Sequence, residues 1–119
     1  MKILICGGRD FDDLLRMERA VRNIIVSTSS LDKVTIISGG AKGADHCAEK
    51  TAKHFKVPID IHPADWDKFG KSAGYIRNKE MLALGPDVVM AFWDGKSKGT
   101  QNTINGARDR KITTFIYYY

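Results

Sequence analysis

The run Ser38-Gly39-Gly40-Ala41-Lys42-Gly43-Ala44-Asp45 has the composition of an anion site built from backbone. It follows the apolar stretch Val34-Thr35-Ile36-Ile37 and opens a segment with helical spacing. The first N–H groups of a helix lack internal partners, and the macrodipole adds partial positive charge there. Glycines let the chain turn sharply and let a phosphate approach without a Cβ in the way. Gly39, Gly40, Gly43 and Ala44 are therefore expected at a phosphate, Ser38 supplying a hydroxyl and Lys42 steering charge. The pattern is neither the Walker loop, which closes on Gly-Lys-Ser/Thr, nor Gly-x-Gly-x-x-Gly. A second glycine loop, Asp94-Gly95-Lys96-Ser97-Lys98-Gly99-Thr100, repeats the theme, with Gly95, Gly99, Ser97 and Thr100 as candidate contacts.

Other residues fit around such an anion. Arg77 carries a planar fork suited to a bidentate clamp, although a lone helical arginine is ordinarily solvated. Asn78 reads a base or ribose edge, or caps a local turn. Gly8, Arg9 and Asp10 break the first apolar run; Arg9 and Asp10 form either ligand contacts or a local ion pair and helix cap. Asp10 and Asp45 are also the carboxylates available for catalysis, with helix N-terminal stabilisation the plain alternative for Asp45. Trp93, ahead of Trp66, is the candidate for stacking on a base, against ordinary rim packing. His46, His54 and His62 show no metal-ligand spacing with one another or with Cys6 and Cys47, so neither a metal nor a cofactor is expected.

Alternating strands and helices must position these groups. Lys2–Cys6 reads as a buried strand, and Asp12 or Asp13 caps a helix running to about Thr28. A polar turn over 27–32 leads to the strand Val34–Ser38 and the helix Ala44–Phe55. Val57–His62 reads as the third strand, Ala64–Ala73 as an irregular stretch, and Gly74–Leu84 as a helix ended by Gly85-Pro86. Asp87–Trp93 has the continuous apolar run of a strand covered on both faces. A helix over Thr100–Arg110 and a last strand over Ile112–Tyr118 complete the chain. This alternation predicts a Rossmann-like three-layer α/β sandwich, with a mostly parallel five-stranded sheet between helices. All the candidate residues but those on the Arg77 helix then follow strand ends on one rim, where ligands bind in such sheets.

Residues 1–119 are expected to form one domain, with 43% hydrophobic and 28% charged residues. No apolar run approaches the ~18 residues of a membrane span, and no signal-peptide core is recognised; a cytoplasmic location without membrane partners is expected. Two cysteines are too few for a disulfide framework. The net charge of +5 suits an anionic ligand. The candidate loops and residues 62–81 hold eight bases and six acids, a dispersed balance that argues against nucleic acid. The apolar ending Phe115-Ile116-Tyr117-Tyr118-Tyr119 suggests an outer strand tucked into a neighbour, and so a homodimer or higher homo-oligomer.

Gly7-Gly8-Arg9-Asp10-Phe11 and the Ser38–Asp45 run, followed by Ala73-Gly74, Arg77-Asn78 and Met81, resemble the small bacterial and phage domains of the SLOG superfamily, in its YspA-like (YAcAr) branch. Ala91-Phe92-Trp93 and the 95–100 loop extend the likeness along the whole chain. The resemblance implies a Rossmann-like fold that binds nucleotides or nucleotide-derived ligands. Its wider relatives include cytokinin-activating phosphoribohydrolases, molybdenum-cofactor carriers and the DNA-processing protein A family. The phosphoribohydrolases carry Arg-Lys-x-x-Met on one helix and Pro-Gly-Gly-x-Gly-Thr-x-x-Glu at the next loop. Here Arg77 and Met81 match the first pattern and Gly99-Thr100 the second, but Thr103 stands where the catalytic glutamate would be. A threonine neither steadies an oxocarbenium charge nor activates water as a carboxylate does.

The expected function is thus binding of a nucleotide or ADP-ribose-like ligand, by a sensor, carrier or sequestering protein. The alternative is N-glycosidic hydrolysis of nucleoside monophosphates or related nucleotides, with Asp10 or Asp45 replacing the missing glutamate. Single-stranded nucleic-acid binding ranks last.

Overall fold

The structure is a computed structural model that describes residues 1–27 and 33–119. Five strands, β1 (Lys2–Gly7), β2 (Thr35–Ser38), β3 (Ile59–Ile61), β4 (Val88–Trp93) and β5 (Thr113–Tyr118), form one sheet in the order β3-β2-β1-β4-β5. Every pairing is parallel, where a mostly parallel sheet was expected. The helices are α1 (Leu14–Ile25), α2 (Ala44–Phe55), α3 (Trp66–Phe69), α4 (Ala73–Ala83) and α5 (Lys98–Asp109).

The period-2 pattern of the central strands divides the core. Ile3 and Ile5 of β1 and Val88, Met90 and Phe92 of β4 pack with Met17 and Val21 of α1 and Ala44 and Ala48 of α2. The alternate residues Leu4, Cys6, Val89 and Ala91 pack on the other face with Met81 and Leu82 of α4 and Ile104 and Ala107 of α5. The chain thus builds outward from β1 to β3, then returns to place β4 on the other side of β1. Right-handed crossovers running in opposite directions send the two helix pairs to opposite faces. The result is a Rossmann-like three-layer sandwich with its topological switch between β1 and β4.

Local chemistry sets the boundaries. Asp13 caps α1 by accepting from the Arg16 N–H at 3.1 Å. The helix ends at Ile25, short of the expected Thr28, with Val26 and Ser27 in a turn; residues 28–32 of the expected helix end and polar turn lie outside the described residues. Pro58 has no N–H to give to a ladder, so β3 is shorter than the expected 57–62 run. The stretch expected to be irregular holds α3 and a 3-10 turn, Gly70–Ser72, because Asp65 accepts from the Lys68 N–H at 3.1 Å and nucleates a turn. α5 begins one half-turn earlier than expected: Asp94 Oδ1 accepts from the N–H groups of Lys96 and Ser97, both at 2.8 Å, and closes the preceding turn. No helix among the described residues is long and apolar enough to cross a membrane.

Candidate functional site

A cleft of about 500 Å³ opens beyond the carboxyl ends of β1 and β4, in the crevice that the strand order creates. β1 and the turn after it contribute Cys6, Gly7, Gly8, Arg9 and Asp10. The loop after β2 contributes Ala41 and Asp45, and the connection to α4 contributes Trp66 and Lys71. From α4 come Gly74, Tyr75, Arg77, Asn78 and Met81, one stripe at helical spacing. Asp94, Ser97, Gly99, Thr100 and Thr103 close the wall from the β4 turn and α5.

The structure therefore gathers Gly8, Arg9, Asp10, Asp45, Arg77, Asn78, Ser97, Gly99 and Thr100 around one cleft. Ser38, Gly39, Gly40, Lys42, Gly43 and Ala44 do not line it, nor do Trp93 and Gly95. Ser38 is wholly buried, its hydroxyl accepting from Gly40 N–H and donating to the Asp45 carbonyl, each at 3.4 Å. Ala44 N–H, the first of α2, donates to the Gly8 carbonyl at 3.1 Å. A Cβ on Gly43 would lie 2.4 Å from that same carbonyl oxygen, so this glycine exists for the contact between two turns. Lys42 is exposed. The Trp93 indole N–H donates to the Ser97 carbonyl at 3.0 Å and its ring lies by Tyr118, which fixes the 94–97 turn.

Arg77 braces the cleft from below. Its Nη1 donates to the Gly39 carbonyl at 2.7 Å and its Nε to Asn78 Oδ1 at 3.0 Å. Asn78 Nδ2 then donates to Asn102 Oδ1 at 3.2 Å and to the Gly99 carbonyl at 3.4 Å. The chain of hydrogen bonds ties the loop after β2 to the first turn of α5. Asp45 is 8% exposed and accepts from the Ala41 N–H at 3.1 Å. Burial pushes its carboxyl above the ordinary range; the Ala41 hydrogen bond and the Arg77 charge oppose that rise. Burial raises the Cys6 thiol at the cleft floor as well, and the neighbouring Asp45 adds to it, so Cys6 is a packed thiol rather than a nucleophile.

At the rim, the Tyr119 hydroxyl donates to Asp10 Oδ1 at 2.5 Å and lies over Gly8, where a Cβ would collide with it. Burial and the Asp10 contact both raise the Tyr119 phenol, which keeps it a donor. Asp94 is held below the ordinary range by the Ser97 and Lys96 N–H groups. At α5, Ser97 is the N-cap but makes no side-chain cap; its hydroxyl instead pairs with Thr100 Oγ1 at 3.2 Å. Thr103, buried on the same wall, donates to the Gly99 carbonyl at 3.4 Å. The lining carries Arg9, Lys71 and Arg77 against Asp10, Asp45 and Asp94, a balanced set of charges.

Lys71, Gly74 and Tyr75 were not among the expected site residues. The helical period was the signal for the last two: with Arg77, Asn78 and Met81 on one stripe, Gly74 and Tyr75 fall on it as well. Among the described residues no group of three or more His, Cys, Asp and Glu side chains is placed to hold a metal ion.

A parallel sheet with a polar crevice at its switch point, walled by a helix start, defines a small Rossmann-like domain. Residues 1–69 match the profile of the "YspA, cpYpsA-related SLOG family" (YAcAr). The chain belongs to this family. It is also similar to the Gene 61 protein of Mycobacterium phage D29, 35% identical over 116 aligned residues, 93% of this chain and 91% of that protein.

Proposed function

We propose that this chain, as one domain, binds a nucleotide or nucleotide-derived ligand of the ADP-ribose kind in the β1/β4 crevice. The observation that carries the reading is the first turn of α5. Its backbone has no side-chain cap, it faces the cleft through Ser97, Gly99 and Thr100, and the Arg77–Asn78 brace adjoins it. Such a turn favours a phosphate, through free N–H groups and the helix dipole. Asp10, held by Tyr119, suits the hydroxyls of a ribose. Family membership is compatible with nucleotide-related binding. The protein then acts as a carrier or sequestering module in the cytoplasm, self-associated through its outer strand β5, where Phe115 and Tyr118 are exposed.

Native mass spectrometry on gently purified protein, followed by denaturation to identify released molecules, tests the reading. A co-purifying nucleotide or ADP-ribose derivative is the expected result. No added mass, together with no shift in melting temperature across a nucleotide panel, would overturn it.

One observation favours a hydrolytic second reading: Asp45 is a buried carboxyl in the cleft wall whose proton affinity is raised, a property of general acids. Release of free base by the wild type, abolished in Asp45→Asn, is its signature. Retention of the intact nucleotide on incubation rules it out.

A further inference from the structure

We propose that Trp66 and Tyr75 form a nucleobase subsite at the mouth of the cleft, a deepening that rests on the nucleotide reading above. Phe11, Phe92, Tyr117 and Tyr119 pack on one another around the ends of β1, β4 and β5, and Trp93 packs on Tyr118. Among the described residues Trp66 and Tyr75 take part in no ring–ring contact, yet both line the cleft. They are 51% and 48% exposed, two large apolar surfaces left in water at the rim of a polar crevice. Exposed aromatic surface beside a concave site marks a contact for a ligand rather than for the core.

Their mounting supports the same use. Trp66 opens α3, a segment with no buried residue, and its indole leans over the start of α4: a Cβ on Gly74 would touch the ring at 3.5 Å. Gly74 thus puts no side chain against the Trp66 ring. The phosphate-favouring turn of α5 and the two rings line one cleft. A ligand with an anionic group and a flat ring, joined by a sugar, matches that distribution. Stacking needs only a π-face, so the subsite accepts any base, purines above pyrimidines by their larger area.

Isothermal titration with AMP, ADP-ribose and ribose 5-phosphate tests the proposal, because only the last lacks a base. Trp66→Ala and Tyr75→Ala are each expected to weaken AMP and ADP-ribose roughly tenfold while leaving ribose 5-phosphate within about twofold. Trp66→Phe keeps a ring and is expected to recover most of the affinity. Phe69→Ala, on the same segment but away from the cleft, is expected to change neither. AMP should also quench tryptophan emission in the wild type and not in Trp66→Ala. Unchanged AMP affinity in both alanine variants overturns the subsite and leaves the cleft reading intact. Equal losses for all three ligands also overturn it, since the rings would then only shape the segment. Failure of the wild type to bind any of the three overturns both.

Discussion

Two glycine loops leave the same rim of the sheet, and the protein uses them in opposite ways. After β2, a Cβ at Gly39 would meet the Arg77 guanidinium at 2.3 Å, and one at Gly43 would meet backbone at 2.4 Å. After β4, a Cβ at Gly95 or Gly99 would meet nothing within 4 Å. The first loop's glycines are there to let parts of the chain touch; in the second, Gly95 turns the chain at φ +82 and Gly99 leaves room in front of a helix start. The same residue type thus marks close packing in one place and access in another, and only the neighbours decide which.

The sharpest way to break this contrast is Gly43→Ala. Gly43 has φ +73, and its new methyl would press on the Gly8 carbonyl and the Arg9 backbone, neither of which can swing aside. Left-handed strain and overpacking together are expected to cost about 3 kcal/mol or more, a large share of a small domain's stability. Urea denaturation checks it. A variant within 1 kcal/mol of wild type would mean that the loop relaxes and that its packing is not what requires glycine.

Arg77 is where the two loops are joined, since it holds Gly39 directly and reaches Gly99 through Asn78. Arg77→Met keeps the aliphatic stem but leaves the Gly39 carbonyl without its donor and removes the cation that opposes the rise of Asp45. A loss of about 2 kcal/mol is expected, from an unmade charge-assisted bond and a less compensated carboxyl. Nucleotide affinity should fall along with stability. A stable variant with full affinity would separate the two loops and discard the brace.

The sequence revealed the sheet because its signals are local: Leu4 and Cys6 against Ile3 and Ile5 state two buried faces within a few residues. The same local logic placed α2 from Ala44 to Phe55. It failed at α3, where four residues held by one Asp65 cap carry too little periodicity to show. The division of labour between the loops was hidden for a different reason. That Gly43 meets Gly8, or that Arg77 reaches Gly39 from far along the chain, follows from which strands are neighbours. Trp66 and Trp93 likewise differ in exposure: Trp93 ends β4 beside Tyr118 of β5 and is partly buried, whereas Trp66 opens the exposed α3.

A pH titration sharpens the description of the first loop as a packed one. Burial raises the Asp45 carboxyl above its ordinary value of 3.8 in the fold, so the native state binds its proton more tightly than the unfolded chain. The contribution of Asp45 to stability then falls as pH climbs from about 4 through the raised native value, and levels off above it. Asp45→Asn keeps an oxygen for the Ala41 N–H and lacks the charge, so it should melt at the same temperature as wild type in acid and higher near neutrality. Melting scans from acid to neutral pH read the difference directly. An Asn variant that melts lower than wild type at neutral pH would show that Arg77 outweighs the burial and that the first loop holds a true ion pair.

The smallest expected effect on stability falls on the second loop and separates stability from binding. Gly99→Ala adds a methyl into open space in the first turn of α5, where alanine is the better helix former. Stability should hold or rise by about 0.5 kcal/mol, in contrast with Gly43→Ala. If a phosphate sits on that turn, the methyl occupies ground the ligand needs, and affinity should fall severalfold in a protein that folds at least as well. Reading both quantities on one sample, the melting curve alone and the shift on adding AMP, makes the result decisive. A variant that gains stability and binds AMP as the wild type does would put the anion elsewhere in the cleft, with Arg9 and Lys71 as the remaining cations on its lining outside the brace.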